Sequence, residues 1–121
     1  MSAGAQPTRL AGLNLWSTYP ADLAELLGDA LGITLTSRSA LDGQHFSGRA
    51  GQLLISVHPS DEAGVELAFT TDDIEVAVAA CAARGASVVQ SPERKPYGVS
   101  AHLVGPDDLR LELVAPDNDN N

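Results

Sequence analysis

The sequence predicts one α+β domain built from two consecutive βαβββ modules. Each half of the chain shows a strand pattern, a helix pattern and then three short strand patterns. The halves also open alike, with AGLNL at 11–15 and AGVEL at 63–67. At 121 residues the chain is long enough for a single domain with a buried core. We place the modules at 10–58 and 64–116, with a flexible N-terminus at 1–9 and a disordered tail at 117–121.

The first module begins with a strand and a short amphipathic helix. Residues 10–17, LAGLNLWS, alternate as a half-buried strand does. Leucine and alanine recur at helical spacing in 20–32, where Pro20 suits the first turn and Gly32 can end the helix. Three strands are then predicted at ITLTS, around QHFSG and at QLLISVH, separated by turns at Gly43, Gly48 and Gly51. His45 is expected on an exposed turn or strand.

The second module repeats this order. GVELAFT is a predicted strand, and Asp72 is the expected helix cap, with Glu75 three residues later. The buried stripe of the helix is Ile74, Ala77, Val78 and Cys81, and Gly85 ends it. Three strands follow at ASVVQ, YGVSAHLV and LRLELV. The segment SPERKPYG, at 91–98, is predicted to be a loop because it contains two prolines.

Composition narrows the classes of function. The formal net charge is −9, so phosphate backbones and anionic membranes are disfavoured as partners. No apolar run reaches the roughly 20 residues of a membrane-spanning helix, and MSAGAQPTR lacks the apolar core of a signal peptide. The single cysteine, Cys81, cannot form an internal disulfide, so a cytoplasmic location is expected.

Several second-half motifs carry a family resemblance. VELAFTTDD is followed by a helix ending in ARGASVV, and PYG is followed by GPDDLRLEL. Together they resemble the vicinal oxygen chelate superfamily, which includes glyoxalase I, bleomycin-resistance proteins and extradiol dioxygenases. The resemblance implies a cupped mixed sheet with helices on its convex side and a cavity on its concave side. It also implies a homodimer.

In metal-dependent members of that superfamily, the first and last strands of each module supply the ligands. The resemblance therefore implies that Glu66 and Glu112 are the metal-ligand positions of the second module. The first module offers Gly12 or Asn14, and Ser56, none of which is a usual ligand for zinc or iron. Half of the ligand set is missing, which favours the absence of a tightly bound metal, although a divalent metal stays an alternative.

Strand alternation predicts which side chains face away from the helices. Leu111 and Leu113 belong to the helix side, so Arg110 and Glu112 lie on the other face. The same parity, applied to the other strands, gives the candidate ligand-binding residues Asn14, Trp16, Ser56, Glu66, Ser100, His102, Arg110 and Glu112.

These residues support three functions. A small polar or cationic organic molecule could bind between Trp16 as an aromatic wall and the polar anchors. Alternatively, Glu66 and Glu112, with His102, could hold iron, manganese or zinc in a lyase or dioxygenase. His102 is also the candidate general acid or base, against the simpler interpretation of a hydrogen-bonded wall residue. The third function is structural, with a cavity filled by side chains. We favour binding of a small molecule.

Overall fold

The structure is a computed structural model that describes residues 8–117. Its strands are β1 (Thr8–Ser17), β2 (Thr36–Ala40), β3 (Gly43–Ala50), β4 (Leu53–Pro59), β5 (Gly64–Thr71), β6 (Ser87–Lys95), β7 (Gly98–Val104) and β8 (Arg110–Pro116). Its helices are α1 (Pro20–Glu25), which continues into a π-helical turn (Leu26–Ala30), and α2 (Ile74–Ala83); a 3₁₀ turn covers Pro106–Asp108. The predicted order of two βαβββ modules is confirmed.

The described chain forms two compact units. One comprises residues 11–66, and the other comprises residues 8–10 with 67–117. Neither helix within residues 8–117 is long and apolar enough to cross a membrane.

The unit of residues 11–66 contains a mixed sheet in the order β2-β3-β4-β1. β1 runs parallel to β4, whereas β2–β3 and β3–β4 are antiparallel hairpins. Ala50 pairs with Leu53 and Ala40 with Gly43, so two-residue turns set the register of both hairpins. These two turns therefore determine which side chains of β2, β3 and β4 lie opposite one another.

Helix α1 packs against β3 and β4 of this unit. Ile55 and Val57 on β4 are buried and supply the core. Because side chains alternate along a strand, Ser56 and His58 project from the opposite face. The apolar residues therefore fix which side of the sheet is polar.

The second unit has the strand order β5-β8-β7-β6, with β6–β7 and β7–β8 antiparallel. Its core contains Ile74 and Ala77 from α2 together with Ala101, Leu103 and Leu113 from the sheet. Val78 and Cys81 pack against this cluster, which confirms the predicted apolar stripe of the helix. Ser100, His102 and Glu112 alternate with the core residues and lie on the other face.

The predicted loop at 91–98 is wrong for most of its length. β6 continues through this segment to Lys95, and only Pro96 and Tyr97 form the turn. Register shifts occur between Val88 and Gln90 and between Gln90 and Glu93. Such bulges on an edge strand let Pro92 remain in the strand, since a bulge leaves residues without a ladder hydrogen bond.

Several element boundaries also differ from the sequence prediction. The cap of α2 is Asp73, whose carboxylate accepts a hydrogen bond from the Val76 backbone N–H, and not Asp72. β2 begins at Thr36 and not at residue 33. β1 begins at Thr8, within the segment predicted to be flexible; residues 1–7 and 118–121 lie outside the described residues.

Candidate functional site

The sheet of residues 11–66 has a polar face formed by transverse rows of paired residues. In one row, Asn14 pairs with Ser56 and Ser56 with Ser47. In the next row, Trp16 pairs with His58, and Arg38 pairs with His45. Paired residues project to the same side of a sheet. Hydrogen-bonding groups, imidazoles and one indole therefore share the face opposite the core.

The aromatic part of this face is Trp16 with His58. Their ring centroids lie 5.3 Å apart, and the ring planes are inclined by 31°. This distance is within the range of stacked aromatic pairs. The contact fixes both rings, so the indole forms a defined flat surface on the polar face.

A chain of hydrogen bonds extends from His58 to the β2–β3 turn. His45 Nδ1 lies 2.9 Å from His58 Nδ1, and His45 Nε2 lies 2.7 Å from Asp42 Oδ1. The hydrogen bond to the His45 imidazole holds the pKa of the Asp42 carboxyl below its usual value. This cluster was not predicted from the sequence, and His45, expected on an exposed turn or strand, has a side chain that is only 17% exposed.

Glu66 is buried on the first strand of the second module. Its residue exposure is 4%, and its Oε1 accepts a 3.1 Å hydrogen bond from Asn14 Nδ2. A neutral amide therefore solvates the carboxyl group from β1. Two residues predicted as ligand contacts are in direct contact in the structure.

Glu112 is the buried acidic group of the second unit. It is 8% exposed, and its Oε2 accepts hydrogen bonds from Ser100 Oγ at 3.1 Å and from Tyr97 OH at 3.2 Å. Ser100 is fully buried, and its backbone oxygen accepts a bond from the Gln90 side chain. Ser100 and Glu112 therefore lie together, as strand alternation predicted, and Tyr97 is an additional member of the cluster.

The two remaining predicted site residues lie at the margin of this cluster. His102 is paired with Glu112 across β7 and β8, and its Nε2 lies 3.9 Å from Glu112 Oε2. This separation permits an ion pair when the imidazole is protonated, but it is too long for a direct hydrogen bond. Arg110 is exposed at the start of β8. The convergence of Glu66, His102 and Glu112 on one ligand stays a prediction.

The donor set of these clusters does not fit a resident divalent metal. Within residues 8–117, no group of three or more His, Cys, Asp or Glu side chains is arranged to hold an ion. The first-module positions are Asn14 and Ser56, neither of which is a usual zinc or iron ligand, and the Asn14 amide nitrogen donates a hydrogen bond to Glu66 Oε1. On Glu112, hydroxyl groups already use one carboxyl oxygen.

Comparison with solved structures identifies the fold. A triple mutant of 4-hydroxymandelate synthase from Streptomyces coelicolor superposes with a TM-score of 0.77 at 20% identity, covering 93% of this chain and 39% of the synthase. A mutant of homoprotocatechuate 2,3-dioxygenase from Brevibacterium fuscum gives 0.72 at 17% identity, covering 96% of this chain and 34% of that one. A hypothetical protein from Bacillus halodurans superposes with a TM-score of 0.73 at 15% identity, covering 96% of this chain and 99% of that protein.

The synthase and the dioxygenase are vicinal oxygen chelate proteins. The chain therefore has the α+β fold that its sequence motifs predicted, although it spans only about two fifths of the synthase and one third of the dioxygenase. No protein-family model matches the chain, and no curated protein matches it.

Proposed function

We propose that this chain binds a small organic molecule, neutral or cationic, on the strand faces that point away from its helices, without a complete metal site. The observation that carries the proposal is the burial of Glu66 and Glu112, each held by neutral amide or hydroxyl donors. Burying a carboxyl group costs free energy because the group loses its hydration. The apolar core can form without such a group, so its burial is not explained by folding alone. Polar groups fixed on a face separate from the core are typical of ligand sites.

The ligand class follows from the side chains that the faces present. Within the unit of residues 11–66, Trp16 and His58 supply a flat surface for an aromatic ring, while Ser56 supplies a hydroxyl group and Glu66 a carboxyl acceptor. The net charge of −9 disfavours an anionic ligand. An aromatic molecule carrying hydroxyl or ammonium donors therefore fits better than an aromatic carboxylate.

A calorimetric comparison of two catechols tests this preference. Homoprotocatechuate, after which the similar dioxygenase is named, carries a carboxylate tail, whereas dopamine carries an ammonium tail on the same ring. We expect dopamine to bind about tenfold more tightly than homoprotocatechuate, which corresponds to a difference of ~1.4 kcal/mol in binding free energy. Near a carboxylate, replacing a negative tail by a positive one changes the electrostatic energy by more than this amount. Glu66→Gln should reduce this preference, while Glu75→Gln, an exposed site on α2, makes the same charge change as a control.

Elemental analysis of protein purified without added metal distinguishes the binding proposal from the alternative, a metal-dependent enzyme. A stoichiometric divalent metal that is lost in Glu112→Ala would replace the binding proposal with that of a metal-dependent lyase or dioxygenase. Equal affinity for the two catechols, or no binding of either, would also contradict the proposal.

We further propose that the protein acts in the cytoplasm as a homodimer. Leu26, Leu31 and Leu41 of the first unit are all more than half exposed, and exposed apolar side chains of this size are typical of surfaces that another chain covers. Sedimentation analysis across protein concentration tests this assembly, and a monomer at all concentrations contradicts it.

A further inference from the structure

We propose that a further ligand site lies at the end of β5, and that it holds a small zwitterion with a carboxylate and an ammonium group, as in an amino acid. The site is a cavity of about 200 Å³ in the unit of residues 8–10 and 67–117, lined by Arg9, Thr70, Thr71, Asp72 and Pro116. None of these residues belongs to the candidate site described above, so this inference goes beyond the proposed function and does not depend on it.

The buried hydroxyl group of Thr71 is the observation that points to a ligand. Thr71 is 4% exposed, and within residues 8–117 its Oγ1 has no hydrogen-bond partner. The hydroxyl group does not cap α2, because the Asp73 carboxylate accepts the hydrogen bond from the Val76 N–H. A buried hydroxyl group without a partner costs free energy, and valine would fill nearly the same volume without that cost. A ligand in the cavity that Thr71 lines would supply the missing partner.

Two opposite charges at the same cavity define the class of ligand. Arg9 and Asp72 both line the cavity, and both are exposed. In the described part of the chain, no ion pair joins these two side chains to each other or to another residue. The guanidinium group can bind a carboxylate through two parallel hydrogen bonds, and the Asp72 carboxylate can accept hydrogen bonds from an ammonium group. A molecule that carries both groups therefore satisfies both side chains.

Charge balance favours a zwitterion over a simple anion or cation. A carboxylate alone would be attracted by Arg9 but repelled by Asp72 and by the net charge of −9. An ammonium group alone would be attracted by Asp72 but repelled by Arg9. A zwitterion gains both attractions and carries no net charge. Thr70 and Thr71 add hydroxyl groups, which can donate to its carboxylate, and Pro116 is the apolar part of the wall.

Titrations with glycine, acetate and methylammonium, followed through the backbone amide resonances, test the class of ligand. Glycine carries both charges, whereas each of the other two probes carries only one. We expect saturable shifts of the Thr70, Thr71 and Asp72 amides with glycine. The dissociation constant of glycine should be about tenfold lower than that of either single-charge probe, because a hydrogen bond to a second charged group contributes about this factor.

Charge variants assign the two ends of the ligand. In Asp72→Asn, glycine should bind no more tightly than acetate, and in Arg9→Gln it should bind no more tightly than methylammonium. Arg84→Gln removes an exposed positive charge from the same unit, outside the cavity, and should leave the three dissociation constants in place. An equal loss of glycine binding in Arg84→Gln would show a general electrostatic effect and would overturn the assignment.

Thr71→Val distinguishes a ligand site from an ordinary buried side chain. The thermal midpoint of the unligated variant should rise by about 2–5 °C, because an unpaired hydroxyl group is removed, whereas glycine binding should weaken about tenfold. Thr71→Ser keeps the hydroxyl group and should keep the glycine affinity. Thr36→Val, at an exposed threonine of β2, should leave the glycine affinity unchanged. A midpoint of Thr71→Val at or below that of the wild type would show that the hydroxyl group is already paired in the unligated protein, and would overturn the proposal. Wild-type glycine affinity in Thr71→Val, or no saturable shift with glycine, would also overturn it.

Discussion

The hydrogen bond from Ser100 to Glu112 gives the most direct stability prediction. Ser100 is 0% exposed and donates at 3.1 Å to a carboxyl oxygen that is itself buried. A hydrogen bond to a charged group contributes about 1.5–3 kcal/mol. Tyr97 still donates to the same oxygen in the Ser100→Ala variant. The expected loss is therefore at the lower end, about 1.5–2 kcal/mol of the free energy of unfolding.

Urea denaturation measures this loss. With a slope of roughly 1.5–2 kcal/mol per molar urea for a domain of this size, the midpoint should fall by about 1 M. Tyr97→Phe should cost only about 0.5–1 kcal/mol because the Tyr97 side chain is half-exposed. The double variant should lose more than the sum of the two, since Glu112 then loses both hydroxyl donors.

Ser91→Ala provides the matched control, because Ser91 is an exposed serine on β6 of the same unit. Its stability should stay within about 0.5 kcal/mol of the wild-type value. If Ser100→Ala were as mild as this control, Glu112 would not depend on the hydroxyl group, and the argument for an organised acidic site in the second unit would be wrong.

Four further predictions concern the backbone and the exposed acid. Gly12→Ala should destabilise the protein by about 2–3 kcal/mol, because the added Cβ would lie 2.3 Å from a backbone oxygen of β4. Gly28→Ala should stabilise it by about 0.5–1 kcal/mol in thermal unfolding, because the nearest atom to the added Cβ in the π-helical turn is 3.6 Å away. Asp108→Gly should raise stability by about 0.5–1 kcal/mol, since Asp108 has φ of 59°; no gain in chemical denaturation would show that its side chain compensates. The pKa of Asp42 is lower in the folded state than its ordinary 3.8. Its stabilisation is therefore complete above that value and lost as pH falls through the folded pKa. The stability difference between wild type and Asp42→Asn should vanish in acid, and a difference independent of pH would contradict the hydrogen bond to His45.

The fold was predictable because its apolar residues follow two clear periods. Leu111 and Leu113 alternate along β8, and Ile74 and Ala77 recur along α2. These patterns define the core side of the second unit, so the opposite position of Glu112 follows from parity alone. The same reasoning placed Asn14, Ser56 and Glu66 on their faces.

The His45–His58 contact was not predictable from periodicity, because parity gives the face of a residue but not its partner. The partner depends on register, which the two-residue turn between Ala50 and Leu53 fixes. Gly51 in that turn, with φ of 64°, was the available signal. β6 was shortened in the prediction for a related reason: Pro92 was interpreted as a loop residue, although bulges on an edge strand accommodate it.

Chemical-shift mapping with dopamine tests the central claim, that a sheet face opposite the helices forms a ligand site. Trp16 is the single tryptophan, so its indole N–H gives one resonance. We predict saturable shifts of that resonance and of the Asn14 and Ser56 amides, with little change at Ile74 and Ala77 in the helix-side core. Shifts confined to the helices, or no saturable shift at any concentration, would contradict the account.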